Sequence, residues 1–338
     1  MAQRAPQFAG HRRFVWFESE RRRPTEYESY TIGQQSSPER WLDVGWPLHF
    51  DDDRPPFTDE STALKCERWQ DYRDPAQVWQ RPFVARANRE EQTLAMLVPE
   101  ELANGAAGIA PAWRDQVLGT YYAAWPFVEY GQFLSLCYAV RETLAETLTF
   151  AITFQATDKL RHQQDIVHLI FALQEASPGF SDEAARPAWM KDPILVPTRE
   201  SIEKIYSSKD WAEMFVVLNL VFEPLVGDLA KNEFFAKNAA HNGDAVTPLI
   251  LAGARRDSRR HLDTAKAFVT MMLKEPAHGA HNRQVIGDWL STWTPPTVLA
   301  AQALRGLFSL DGIESTDFQE GYDRVFTAQR SLIAELGL

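Results

Sequence analysis

Glu129, His162 and His261 are side chains of the kind that bind transition metals, and both histidines close similar tetrads, Lys159-Leu-Arg-His162 and Ser258-Arg-Arg-His261. Positions i and i+3 of a helix share a face. Two Glu-x-x-His tetrads, with one glutamate from each of two further helices, therefore hold a pair of irons inside a four-helix bundle. Here the histidines are present, but Lys159 and Ser258 stand where the tetrad glutamates would be, and the third helix presents Leu218. Glu129 is the inward carboxylate of the first helix. Two imidazoles and one carboxylate are a poor donor set for two hard, multiply charged ions, particularly with an ammonium aimed at the same space. The expectation is a degenerate pseudo-site made of Glu129, Lys159, His162, Leu218, Ser258 and His261, with no catalytic, cofactor-binding or metal-ligating role. Two readings of Lys159 stand open: its cation replaces metal charge by pairing with Glu129, or it points to solvent.

Helices must position these groups. From Phe127 to Ser177 there is no proline, and Phe133, Leu136, Cys137, Val140, Leu144 and Leu148 recur at spacings of three and four, which is helical periodicity. A single helix of that length is improbable in a globular domain. The stretch Thr143-Leu-Ala-Glu146 has the form of a capping box and predicts a turn there, folding Glu129 beside Lys159 and His162. Asp210-Trp-Ala-Glu213 predicts another helix start, ahead of an apolar run kinked at Pro224. Asn242-Gly-Asp244 predicts a turn, with Thr247-Pro248 opening a helix to about Leu273. Two hairpins make the bundle, with shorter helices at 282–293 and 298–338 outside it. Asp257 and His261, four apart, are too common a pair to signal a metal, His168 falls on another face, and Arg255, Arg256, Arg259 and Arg260 read as a solvated or partner-facing stripe.

The first third is different. Half of the chain's 20 prolines fall within residues 1–111, together with Trp16, Trp41, Trp46, Trp69 and Trp79. Proline removes a backbone donor and restricts its predecessor, so this region is expected to run extended and to bury its tryptophans on the helical body or on a partner. The divisions that follow are 1–111, an arm with short helices; 112–294, a helical core; and 295–338, C-terminal helices. A net charge of -11 disfavours nucleic acid and anionic membranes. Two cysteines, no apolar leader and no run near 20 apolar residues point to a cytoplasmic protein without disulfides or a membrane span.

Arg21-Arg-Arg-Pro-Thr-Glu-Tyr-Glu28 resembles the N-terminal signature of the beta (small) subunit of the hydroxylase in bacterial multicomponent di-iron monooxygenases, which act on methane, propane, alkenes, phenol and toluene. Asp210-Trp-Ala-Glu-Met-Phe-Val-Val-Leu-Asn-Leu-Val-Phe-Glu-Pro-Leu225 is similar to a second stretch of that subunit, and Asn242-Gly-Asp-Ala-Val-Thr-Pro248 looks like the turn before the last metal helix of the family's alpha subunit. The resemblance implies an all-α, ferritin-like bundle without a di-iron site, a long extended N-terminal arm and extra C-terminal helices. It implies a non-catalytic chain that supports an iron-bearing alpha subunit, joined by a gamma subunit in a two-fold symmetric hexamer. A separate reductase drawing on NADH and a coupling protein would complete O2-dependent oxidation of a small hydrocarbon, a short alkene or alkane in preference to phenol or toluene. Trp16, Arg23, Pro24, Tyr27, Trp41 and Trp46 are the expected subunit contacts. Two other readings are a self-sufficient ferritin-like metalloenzyme using Glu129, His162, His261 and Asp158 or Asp257, and a helical interaction protein unrelated to oxygenases.

Overall fold

The structure, a computed structural model, describes residues 25–32 and 60–338. The expected contact residues Trp16, Arg23, Pro24, Trp41 and Trp46 lie outside them. The described residues are predominantly helical and contain no strand. Helix α1 is Glu26–Thr31, capped by Thr25, whose hydroxyl accepts from the Glu28 amide while the Glu28 carboxylate accepts from the Thr25 amide. Tyr27, an expected partner contact, is buried within its own chain, and its hydroxyl accepts from the Asp74 amide at 3.0 Å.

The stretch beyond Trp79, expected to be extended, instead contains α2, Gln80–Gly105. Pro82 lies in its first turn, where a missing amide hydrogen costs nothing, and the next proline is Pro99, near the other end.

The bundle is built from α3 (Ala123–Glu142), α4 (Glu146–Ala176), α7 (Trp211–Val217) with its continuation, and α9 (Val246–Leu273). Between α4 and α7 run the short α5 (Ala185–Lys191) and α6 (Val196–Tyr206), which flank α3. The hairpin turn is where the spacing placed it, but not by a capping box: Thr143 donates to the Ala139 carbonyl, and Ala145 is the cap residue. Asp210 caps α7 by accepting from the amides of Ala212 and Glu213. It also accepts from the Ala63 amide, pinning the returning chain.

After Val217 the helix does not simply kink at Pro224. It is wound as π-helix over Leu218–Gly227 and Leu229–Ala236, ending in the single turn α8 (Lys237–Ala239). A third π stretch, Trp113–Tyr122, leads into α3. With hydrogen bonds running from i to i+5, a π stretch tolerates the absent Pro224 amide and shifts the facing of every later residue. Helix α9 is opened by Asp244, which accepts from the amides of Val246 and Thr247, rather than by Thr247. Helix α10, Gly279–Ala303, runs through Pro295-Pro296 and across the expected division at 294, and α11 is Phe318–Glu335. Among the described residues no helix is long and apolar enough to cross a membrane.

Candidate functional site

At the centre of the bundle four charged side chains alternate in sign. Glu129 comes from α3, Lys159 from α4, and Glu223 and Lys231 from the two π stretches after α7. The Lys159 ammonium is 2.8 Å from Glu223 and 3.3 Å from Glu129; the Lys231 ammonium is 2.8 Å from Glu223 and 3.3 Å from Glu129. Lys159 is wholly buried, so it does not point to solvent. Gln132 donates to Glu223 at 2.6 Å and the Trp125 indole to Glu129 at 3.2 Å. Burial pushes both carboxyls up, but the two ammoniums more than offset it: Glu129 is held well below the carboxylate range and Glu223 is brought down to about 2. Burial pulls Lys231 down, and the same two glutamates return it above its ordinary value.

Leu218 does not face this cluster as a ligand position; it lies in the apolar core. Glu223, five residues further along the same π stretch, is the side chain that turns into the cluster. Gly227 makes room for that carboxylate, since a Cβ there would sit 2.8 Å from Glu223 Oε2.

A second layer lies beside the first. Helices α4 and α9 carry the same pattern, Asp158-x-x-Arg161-His162 and Asp257-x-x-Arg260-His261, and the pairing crosses over. Asp257 receives Arg161 at 2.6 Å and His162 Nε2 at 3.2 Å, while Asp158 receives His261 Nε2 at 2.9 Å and Arg260. Arg260 therefore turns inward, away from the solvated stripe expected of it; Arg255, Arg256 and Arg259 remain exposed. Ser258 is half-buried at the edge. Helix α2 closes the layer: Glu90 accepts from Arg161 at 2.9 Å and from Arg256 at 2.7 Å, and Arg86 reaches Asp257 at 3.3 Å.

The pKa values of the two histidines are shifted in opposite directions for reasons visible in their neighbours. Burial lowers the pKa of each. For His162 this is overcome by Asp257 and by Glu129, 3.8 Å from Nδ1, so it is held above its ordinary value. His261 meets Asp158 but also Arg260 and Lys159, and is pushed down to about 4. His261 is therefore neutral and donates from Nε2 to Asp158. A cleft of about 350 Å³ reaches Glu223 and His261 from the surface, passing Asp228, which burial first and Glu223 second push up to about 6.

The residues singled out from the sequence thus come together, apart from Leu218 and Ser258. Glu223 and Lys231 were missed. Among the described residues no group of three or more His, Cys, Asp or Glu side chains is disposed to hold a metal ion.

Fold and site together define a ferritin-like helical bundle whose centre is an ionic lattice. The family model for methane/phenol/alkene hydroxylases matches residues 46–276. The chain is 30% identical over 332 residues to the small subunit of the hydroxylase component of propane 2-monooxygenase from Rhodococcus jostii (strain RHA1), covering 97% of this chain and 89% of the relative. It is 29% identical over 313 residues to the methane monooxygenase component A beta chain of Methylosinus trichosporium, covering 88% and 78%. In fold it matches the toluene-bound resting toluene 4-monooxygenase hydroxylase, at a TM-score of 0.72 and 23% identity, covering 87% of this chain and 100% of that one. The xenon-pressurised phenol hydroxylase of Pseudomonas sp. OX1 matches at 0.78 and 15% identity, covering 94% and 92%. The chain belongs to the methane/phenol/alkene hydroxylase family, among the small or beta subunits of monooxygenase hydroxylases.

Proposed function

We propose that this chain is the non-catalytic beta subunit of a soluble di-iron monooxygenase hydroxylase, and that it supports an iron-bearing alpha subunit in the O2- and NADH-dependent oxidation of a small hydrocarbon. The observation that carries the reading is the alternation of Glu129 and Glu223 with Lys159 and Lys231. The side chains do not fit a di-iron centre. Both inward carboxylates already face two ammoniums, so cations of the protein's own occupy the space a metal pair would need, whereas the histidines spend only Nε2 on their aspartates. A pair of multiply charged cations would have to displace two buried lysines from the charges that hold them. The two ammoniums supply the positive charge that the paired glutamates need, and the bundle keeps its packing without redox chemistry.

The partners follow from the same reading: an alpha subunit holding the di-iron site, a gamma subunit in a two-fold hexamer, and a reductase and coupling protein for turnover in the cytoplasm. The substrate is a short alkene or alkane. The N-terminal arm, with Trp16, Arg23, Pro24, Trp41 and Trp46, lies across the alpha subunit.

The test is purification of the chain alone and with the large subunit of its hydroxylase. Alone it should be iron-free and inactive toward propene, propane, phenol and toluene. Co-expressed, the two should co-purify and turn over substrate once reductase and coupling protein are added. Stoichiometric iron in the chain alone would overturn the proposal. Deleting residues 1–24 should impair assembly, and unchanged assembly would remove the arm from the account.

A further inference from the structure

We infer that the cleft between α9 and the π stretches after α7 is a binding site for a small oxyanion that keeps an O–H group: protonated phosphate or a phosphate monoester. Its volume of about 350 Å³ is within the range of small-molecule sites. Its mouth is formed by the part of the arginine stripe that the ionic layers leave unused. Arg255 and Arg259 stand one turn apart on α9, both exposed and both lining the cleft. Among the described residues neither is ion-paired with a carboxylate. Arg255 spends only Nε, on the Asn232 side chain at 2.9 Å. Two planar guanidinium forks match the oxygens of an oxyanion. With a net charge of -11 the chain as a whole repels anions, so holding one requires a local site of this kind.

The acids of the cleft do not oppose it. Glu223 is answered by Lys159 and Lys231, and Glu233 by Arg324 and Lys237. That leaves Asp228, which accepts from the Asn232 amide at 2.7 Å and is linked through it to Arg255. The charges facing Asp228 are Glu223 and Lys231 from its own helix, Lys159 from α4 and Arg255 from α9. Held at about 6 by burial and by Glu223, this carboxyl takes up a proton under mild acid, and an entering anion favours that uptake. The deep wall supplies the other half of the recognition. Ser258 Oγ and His261 Nδ1 are buried without a hydrogen-bond partner, and both residues line the cleft. Because His261 is neutral and gives its Nε2 proton to Asp158, Nδ1 can only accept. A ligand that relieves both atoms has an O–H to give as well as oxygens to receive, and sulfate lacks that proton.

Isothermal titration calorimetry of the full chain with inorganic phosphate, methyl phosphate and sulfate at matched ionic strength tests the site. At pH 5.5 the phosphates should bind, the tighter of the two showing whether the free ion or its ester is preferred. Sulfate should bind at least about tenfold more weakly, because it leaves Nδ1 unpaired. Arg259→Gln and Ser258→Ala should each weaken phosphate binding by about tenfold with the melting temperature of the chain unchanged. Lys204→Gln, which removes the same charge from α6, should leave binding as it is. Phosphate affinity should fall by about tenfold or more from pH 5.5 to 7.5 as Asp228 ionises. Asp228→Asn leaves the ligand's own titration in place and should lose most of that fall. Four results would overturn the site: no binding of either phosphate; sulfate bound as tightly as phosphate; Lys204→Gln as damaging as Arg259→Gln; or a pH dependence that Asp228→Asn leaves intact.

Discussion

Replacing Lys159 by methionine tests the central lattice directly. The side chain is wholly buried and contacts both glutamates, so Lys159→Met preserves length and apolar stem and removes only the charge. Two carboxylates would then share the Lys231 ammonium. Removing one partner of a buried ionic group costs about 3–5 kcal/mol, because the charge left behind is uncompensated. At roughly 2 cal/mol/K per residue the unfolding entropy of the whole chain is about 0.7 kcal/mol/K, so the melting temperature should fall by about 4–7 °C. Pairing the substitution with Glu223→Gln restores neutrality around Glu129 and Lys231. The double variant should be more stable than the sum of the singles by more than about 1.5 kcal/mol, since the two groups are in contact.

Acid titration supplies the second readout. In the wild type Glu223, at about 2 against an ordinary 4.5, contributes stability that is fully present above pH 4.5 and lost as pH falls toward 2. In Lys159→Met one carboxyl of the pair is forced above its ordinary value, which reverses the sign: the variant gains stability as pH falls toward 4.5. Calorimetry and chemical denaturation at a series of pH values measure both effects. A loss below 1 kcal/mol, or an acid limb identical to the wild type, would refute the lattice as the organiser of this core.

His261, brought down from 6.5 to about 4, should make the chain less stable as pH falls from 6.5 to 4, because the unfolded state takes up a proton that the folded state refuses; the effect is about 3 kcal/mol across the window, and His261→Asn should flatten the curve measured by urea denaturation. Asp228, raised to about 6, acts oppositely, stabilising the fold as pH falls from 6 toward 3.8, so Asp228→Asn should steepen the same curve. Gly227→Ala pushes a methyl against the Glu223 carboxylate and should cost about 1–3 kcal/mol by overpacking, while Gly287→Ala, where a Cβ meets nothing, should be neutral or mildly stabilising in the same melt. Glu90→Gln weakens the charged contacts to Arg161 and Arg256 and should raise amide hydrogen exchange across residues 80–105 with the bundle helices unaffected.

The bundle itself was legible because its evidence is local. An unbroken three-and-four periodicity gave α3 and α4, Asp210 gave the start of α7, and the absence of breaks before Pro276 gave α9. Helix α2 was hidden by the density of prolines around it, since proline counts do not register that Pro82 falls where a first turn tolerates it. Glu129, His162 and His261 were found by comparison with a tetrad whose spacing is fixed by helical geometry. The Asp-x-x-Arg-His repeat was equally present in the sequence, and it escapes a search for metal ligands because its members answer each other across α4 and α9.

Glu223 and Lys231 fall in a different class. Their facing depends on π winding, and helical pitch over Leu218–Ala236 is set by tertiary packing rather than by propensity. Still, a carboxylate in the run Val221-Phe-Glu-Pro-Leu225 carries its own signal. A helix that apolar on every side is buried all round, a buried carboxylate must be paired, and Lys159 can answer only part of two such charges. Charge balance thus sets a requirement that is legible in the sequence, a second cation in the same space unless one carboxyl stays protonated. Lys231, the next lysine after Glu223, meets it once the winding brings it inward.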